Sequence, residues 1–180
     1  MCIGELSVHS ACEVLCMCYN IFKGDDEMLY YYNYDFPIGK LMIMDDGHGI
    51  CGIHFHNQLN KDCIKKETHD TRMAAYQLTE YFSGDRTEFD LPLSLHGTEF
   101  QQKVWNALRE IPYGETRTYK EIAEIVGSPK GCRAVGMANN RNPIAIVIPC
   151  HRVIGNNGSL TGYAGGLELK EYLLELEHAL

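Results

Sequence analysis

The chain has 180 residues, 45% of them hydrophobic and 22% charged, which is enough for a buried core and excludes intrinsic disorder. Its formal net charge of −8 speaks against a nucleic-acid surface for the molecule taken whole. No apolar run approaches the ~18 residues of a membrane span, and no basic segment precedes the first apolar stretch, so no secretory signal is expected.

Residues 5–22 show loosely helical apolar spacing that ends at Gly24-Asp25-Asp26. The eight cysteines stand at 2, 12, 16, 18, 51, 63, 132 and 150. Their irregular spacing, without a secretory signal, points to reduced thiols in the cytosol rather than a disulfide framework. Cys12, Cys16 and Cys18 admit two readings. They could begin a metal site completed by His9, His48, His54 or His56, or they could form a packed helix face, because free Cys behaves as a small hydrophobe. We favour the second. From Leu29 an aromatic run leads to a turn at Pro37-Ile38-Gly39, and two apolar runs then flank Asp45-Asp46-Gly47-His48-Gly49 as a β-hairpin. Residues 67–82 read as a helix stopped by Gly84, and Thr87–Leu93 as a short strand. The first half is thus expected to be a small α/β domain, with a linker at Leu95–Thr98.

The second half begins with an amphipathic helix over Glu99–Ile111, whose apolar face carries Phe100, Val104, Ala107, Leu108 and Ile111. Pro112-Tyr113-Gly114 ends it. Thr118 caps a second helix with Glu121 three residues on, a capping box. Gly127-Ser128-Pro129 turns the chain into a third helix over Lys130–Asn140. Two short helices joined by a Gly-containing turn match a helix-turn-helix, a weak signal by itself. Charge divides between the halves. Residues 1–95 hold 7 Lys and Arg against 15 Asp and Glu, whereas residues 96–180 hold 9 of each and Thr118–Tyr163 carries a local excess of +3.

The most informative stretch runs from Asn142 to Val153. An apolar, strand-like run broken by Pro149 delivers Cys150 where the chain must bend, and His151 follows at once. Little thiolate exists at neutral pH for a free cysteine, and a neighbouring imidazole can take the proton. Such a pair fits an activated nucleophile. Taken alone it fits a buried structural cysteine better.

The surrounding motifs reverse that balance. Pro149-Cys150-His151-Arg152-Val153, preceded by Asn142-Pro143 and followed by Thr161-Gly162-Tyr163-Ala164-Gly165-Gly166, resembles the O6-alkylguanine-DNA alkyltransferases. The likeness extends through Gly97-Thr98-Glu99-Phe100, Val104-Trp105, Ile111-Pro112-Tyr113-Gly114, Arg133-Ala134-Val135-Gly136, Leu167 and Lys170-Glu171. It covers residues 96–178 strongly and 34–95 loosely. The resemblance implies a small-sheet, ribonuclease H-like α/β domain over 28–95 and a mainly helical winged helix-turn-helix domain over 96–180. Residues 1–27, before Met28, are left as an extension without a counterpart.

By the same resemblance Cys150 accepts the alkyl group of O6-alkylguanine, and of O4-methylthymine, in one irreversible displacement per molecule. His151 acts as base through a water, and Glu177, on a helix over Leu167–His178, orients it. Tyr119 donates a proton to the departing guanine, and Asn142 fixes the turn that presents the thiol. The main-chain carbonyls of Cys150 and Val153 read the base's amine, with Tyr163 and Ala164 lining its pocket. Arg133 fills the space of a flipped base, while Ala134 and Gly136 allow close approach to the minor groove, together with Tyr119. Taken singly, Arg133 reads as a solvated helix residue, Tyr119 as a core phenol and Glu177 as a terminal helix charge. The matched motif favours function for each.

The implied partner is double-stranded DNA carrying the lesion, with no cofactor, no metal and no membrane. The protein is expected to be a monomer in the cytoplasm, or the nucleus of a eukaryote. Three departures stand out. Ala164 replaces a serine and Ala145 a proline of some members, and Asp46 stands where a vertebrate zinc cysteine aligns, so no such metal is expected. Two other classes compete: a non-catalytic lesion-binding protein, against which the presence of Cys150 argues, and a Cys-His thiol hydrolase, which needs a Gly-rich oxyanion arrangement and turns over repeatedly.

Overall fold

The computed structural model describes residues 28–55 and 63–180. The helical reading of 5–22, with His9 and Cys12, Cys16 and Cys18, lies outside the described residues, as does His56. Strand β1 (Tyr30–Phe36) takes up the aromatic run and turns tightly into β2 (Gly39–Asp45), pairing Phe36 with Gly39 and Tyr30 with Asp45 in antiparallel register. The hairpin to β3 (Ile50–His54) forms where expected. Its turn is held by side chains, since Asp45 Oδ1 accepts from Gly47 N at 2.7 Å and Asp46 Oδ1 from His48 N at 2.9 Å. A short β4 (Ile64–Lys65) runs parallel to β1, and the sheet order is β3-β2-β1-β4.

Helix α1 (His69–Phe82) is capped by Thr68 and lays Thr71, Ala74, Ala75, Leu78 and Tyr81 on the sheet at helical spacing. The strand expected over Thr87–Leu93 is absent, and only Leu93 makes a single bridge, to Ile50. Pro92 is the reason: it has no N–H to give a ladder. The segment still docks through Ile50 N to Pro92 O at 2.8 Å and Ser94 N to Ile50 O at 2.9 Å. Gly49 makes this approach feasible, because a Cβ there would lie 2.5 Å from the Pro92 carbonyl oxygen.

Helix α2 (Glu99–Arg109) starts with the Thr98–Gln101 capping box and buries Val104, Trp105, Ala107 and Leu108. A two-stranded parallel pair, β5 (Arg117–Thr118) with β6 (Val153–Ile154), flanks α3 (Tyr119–Ile125). The expected capping box is present, Thr118 Oγ1 accepting from Glu121 N at 3.2 Å while Glu121 Oε2 accepts from Thr118 N at 2.7 Å. Gly127, at φ +73°, turns the chain into α4 (Cys132–Asn140). Trp105 Nε1 donates to Ala138 O at 2.8 Å and ties α2 to α4. Helix α5 (Leu167–Leu176) ends one residue before Glu177. One hydrophobic cluster unites Leu41, Ile43, Ile53, Leu78 and Tyr81 with Trp105, Leu108, Ile122, Ile148 and Leu173, so both halves share a core. No helix among the described residues is long and apolar enough to cross a membrane.

Candidate active site

The run before Cys150 is not the strand its composition suggests. Pro143 and Pro149 withhold ladder donors, and the Asn142 side chain supplies bonds in place of a partner strand. Asn142 Oδ1 accepts from Ile144 N at 3.0 Å, while its Nδ2 donates to Ile148 O at 2.8 Å. The loop closed between them is tight enough to place Ile146 at φ +71°, a conformation costly for a β-branched residue. Strand β3 braces it from the other domain, through Ile53 N to Pro143 O at 2.9 Å and Ala145 N to Ile53 O at 3.3 Å. The chain then enters a 3-10 turn, Cys150–Arg152.

The Cys150 thiol is buried, and Asn142 Nδ2 reaches its Sγ at 3.1 Å. Burial pushes the thiol up from its ordinary value, and the Asn142 amide and Lys170 charge oppose that only in part. At rest the group is a thiol.

Behind it stands a closed network. His151 Nε2 lies 2.8 Å from Glu177 Oε1. Arg152 grips the same carboxylate in a fork, Nε to Oε2 at 2.7 Å and Nη2 to Oε1 at 2.9 Å, and its Nη1 donates to Ile111 O at 2.6 Å. Tyr81 OH donates to Glu177 Oε1 at 2.6 Å. Burial alone would raise the Glu177 carboxyl, but the bonds from His151 and Arg152 outweigh it and hold it at about 2. Burial pulls the His151 imidazole down, which the Glu177 bond does not fully offset. These directions fix the tautomer. An ionised carboxylate only accepts, so Nε2 carries the proton of a neutral ring and Nδ1 offers a lone pair. His151 Nδ1 is buried and has no protein hydrogen-bond partner.

On the other side of the thiol, Tyr119 OH donates to Thr161 O at a long 3.3 Å, and burial pushes its phenol up. Lys170, fully buried, donates to Val153 O at 2.5 Å and to Thr161 O at 2.9 Å. Burial lowers its ammonium to about 8, opposed by the nearby thiol. The Tyr163 ring meets His151 edge-on at 6.5 Å, and its hydroxyl is buried without a partner. Ala164 is exposed beside it. Arg133 and Ala134 point outward on α4, and a Cβ on Gly136 would touch the Tyr119 ring at 3.8 Å. Asn142 therefore bonds Cys150, Glu177 bonds the adjacent His151, and Tyr119 shares the Thr161 carbonyl with Lys170. Arg133, Ala134 and Gly136 make none of these bonds, and α4 reaches the site through Asn139 Nδ2, which donates to Cys150 O at 3.3 Å. Asp46 accepts from Ser94 Oγ at 2.6 Å and lies 2.9 Å from His96 Nε2. Among the described residues no three His, Cys, Asp or Glu side chains are set to hold a metal.

Two family models match the chain. The 6-O-methylguanine DNA methyltransferase ribonuclease-like domain covers residues 29–95, and the DNA binding domain of the same methyltransferase covers residues 99–179. The chain belongs to the 6-O-methylguanine DNA methyltransferase family. It is 53% identical over 153 residues to the methylated-DNA–protein-cysteine methyltransferase of Methanosarcina acetivorans, spanning 83% of this chain and 98% of the relative. The constitutive enzyme of Bacillus subtilis is 50% identical over 159 residues, with 83% and 96% covered. The solved structure of Mycobacterium tuberculosis OGT in complex with DNA is similar with a TM-score of 0.78 at 49% identity, covering 83% of this chain and 93% of that one. As a member of this methyltransferase family, the protein repairs DNA by direct reversal, transferring alkyl groups from O6-alkylguanine to cysteine.

Four buried side chains in this methyltransferase site escaped the sequence reading, the first being Asn139, whose amide donates to Cys150 O from within α4. Arg152 lies inside the Cys-His motif and could have been flagged as the nearest cation able to pair with a buried carboxylate. Lys170 stands in the quoted Lys-Glu pair, but its helical position alone reads as solvated. Tyr81 carries no local signal at all, because its spacing on α1 is that of a core residue.

Proposed function

We propose that Cys150 is the alkyl acceptor and that the protein works once per molecule on double-stranded DNA. The observation that carries this is the pairing of a buried thiol with a neutral, carboxylate-oriented imidazole whose Nδ1 lone pair has no protein partner. His151 Nδ1 takes the thiol proton through a water. The thiolate attacks the alkyl carbon, the S–C bond forms as the C–O6 bond breaks, and the electron pair goes to the guanine. Tyr119, kept protonated by burial, gives that anion a proton and recovers one from solvent or the imidazolium. Glu177 orients His151, and Asn142 holds the thiol in line. The carbonyls of Cys150 and Val153 receive the guanine amine, and Tyr163 and Ala164 line the pocket wall. A thioether does not revert, so no turnover follows. O4-methylthymine, which presents a similar O-alkyl group, is a second substrate.

A stacked base cannot reach a buried thiol, so it is flipped out at a cost of a few kcal/mol. Arg133 occupies the vacated space while Ala134 and Gly136 let α4 approach the minor groove, where readout is sequence-poor. The exposure of Arg133 and Ala134 supports this placement, as does the +3 excess over Thr118–Tyr163. The protein acts as a monomer, since the reading assigns every catalytic group to one chain, and in a reducing compartment such as the cytoplasm, where Cys150 stays a thiol.

Incubation with duplex DNA carrying a labelled O6-methyl group tests the reading. One label per molecule on Cys150, with no further release at excess DNA, is expected. Repeated turnover, or label on another residue, sinks it. Arg133→Ala is expected to slow repair of duplex DNA at least about tenfold, while leaving reaction with free O6-alkylguanine within about twofold. Equal loss on both substrates removes the flipping role.

A further inference from the structure

The carboxylate that orients His151 is shared with the other domain. Glu177 Oε1 accepts from His151 Nε2 at 2.8 Å, Arg152 Nη2 at 2.9 Å and Tyr81 OH at 2.6 Å, the shortest of the three. Cys150, His151, Arg152, Glu177 and Lys170 all belong to the second half of the chain. Tyr81 is 96 residues upstream of Glu177, near the end of α1. Its ring is fixed by neighbours on several sides, Phe82 at 5.4 Å, Phe89 at 5.5 Å and Tyr113 edge-on at 6.2 Å. The hydroxyl therefore cannot swing away without repacking that cluster. It is fully buried, as is the carboxylate, so water does not compete for the bond.

We propose that Tyr81 is a positioning residue of the proton relay: its hydroxyl holds Glu177 Oε1 and draws off part of its charge, so the N-terminal domain sets how strongly the carboxylate supports a proton on His151. The inference rests on the reading of His151 as the base. Each donor bonded to an ionised oxygen lowers what that oxygen can give to the next. With Tyr81 in place, His151 stays neutral at rest and keeps Nδ1 open for the thiol proton. Without the hydroxyl, the same carboxylate faces His151 with more charge, the imidazolium is favoured, and the ring is already protonated over a wider pH range. The other groups around the His151–Glu177 pair stay as they are: Arg152, Lys170 from α5, Cys150, the Tyr163 phenol edge-on to the imidazole, and the Tyr113 phenol near Glu177.

The pH dependence of label transfer from O6-methylguanine duplex to Cys150, in full-length protein, separates this role from packing. Tyr81→Phe keeps the ring and its contacts. It is expected to shift the acid limb of the transfer rate upward by about one pH unit, the size of one hydrogen bond to a charged group, with DNA affinity unchanged. Titration of the His151 ring by NMR should move in the same direction. Tyr113→Phe, which removes a hydroxyl bonded to Leu176 O at 2.9 Å in the same aromatic cluster, serves as the control and should leave the limb in place. An acid limb and a His151 titration unmoved in Tyr81→Phe overturn the proposal, however much the variant loses in stability. An equal shift in Tyr113→Phe also overturns it. Failure of wild-type protein to label Cys150 is a different result, which removes the underlying reading instead.

Discussion

Cys150→Ser is expected to lose label transfer from O6-methylguanine duplex by at least about a thousandfold, as removal of a covalent nucleophile does elsewhere. The substitution replaces sulfur by a smaller oxygen at a buried position, with the Asn142 amide able to donate to it as it does to Sγ at 3.1 Å. The fold should therefore survive. What is lost is the chemistry. A thiol becomes an anion within reach of an imidazole, whereas an alcohol does not, and its oxygen is a far poorer nucleophile toward an alkyl carbon. The measurement pairs transfer of label with duplex binding by the same sample. Binding within about twofold of wild type, with label absent from the protein, is the expected result. Label still transferred at a comparable rate means another residue accepts the group.

Glu177→Gln is expected to be the most damaging single change to stability, at about 3–5 kcal/mol, because it strands a buried cation. The carboxylate receives two bonds from Arg152 and one each from His151 and Tyr81, and every one of these groups is a donor. A carboxamide accepts through one oxygen and turns a donating NH2 toward the rest. Transfer should fall with it, since His151 loses the group that fixes its tautomer. The effect depends on pH in a stated direction. The folded carboxyl sits at about 2, below the 4.5 of an ordinary glutamate, so its contribution is complete above about pH 4.5 and is lost as pH falls toward 2. Urea unfolding across that range should show wild type losing stability with acid and the variant losing less. A stability gap equal at pH 7 and at the acid end assigns the residue to packing and not to charge.

These two residues mark opposite ends of what a sequence discloses. Cys150 announces itself locally, through a proline before it and a histidine after it. Glu177 does not: alone it is one more acid near a helix end, and only the resemblance paired it with His151 across 26 residues. Local rules worked where the deciding forces were local. The box at Thr118, the Asp-Gly hairpin turn and the inward face of α2 were legible because the bonds and contacts involved join residues a few positions apart. They failed at Thr87–Leu93, where apolar content suggested a strand and Pro92 refused the ladder. They failed again at 142–149, where a side chain, Asn142, replaced the missing strand partner and forced Ile146 to φ +71°.

The charge pattern was also legible in advance. The −8 lies wholly in residues 1–95, so net charge raises no objection to a DNA surface in the second half. By itself, then, the sequence determined the family, the residue proposed as nucleophile and the helical frame of the second half, since each is written in contiguous residues. Only the tertiary structure decided how the nucleophile is served. It turned Arg152 inward onto Glu177, buried Lys170 against the Val153 carbonyl, and brought Tyr81 from 96 residues away to the carboxylate behind His151. Those choices depend on burial, where an unpaired charge costs several kcal/mol and each donor must find its acceptor. No spacing rule along the chain records such a constraint, because its partners meet only once the two halves close on one core.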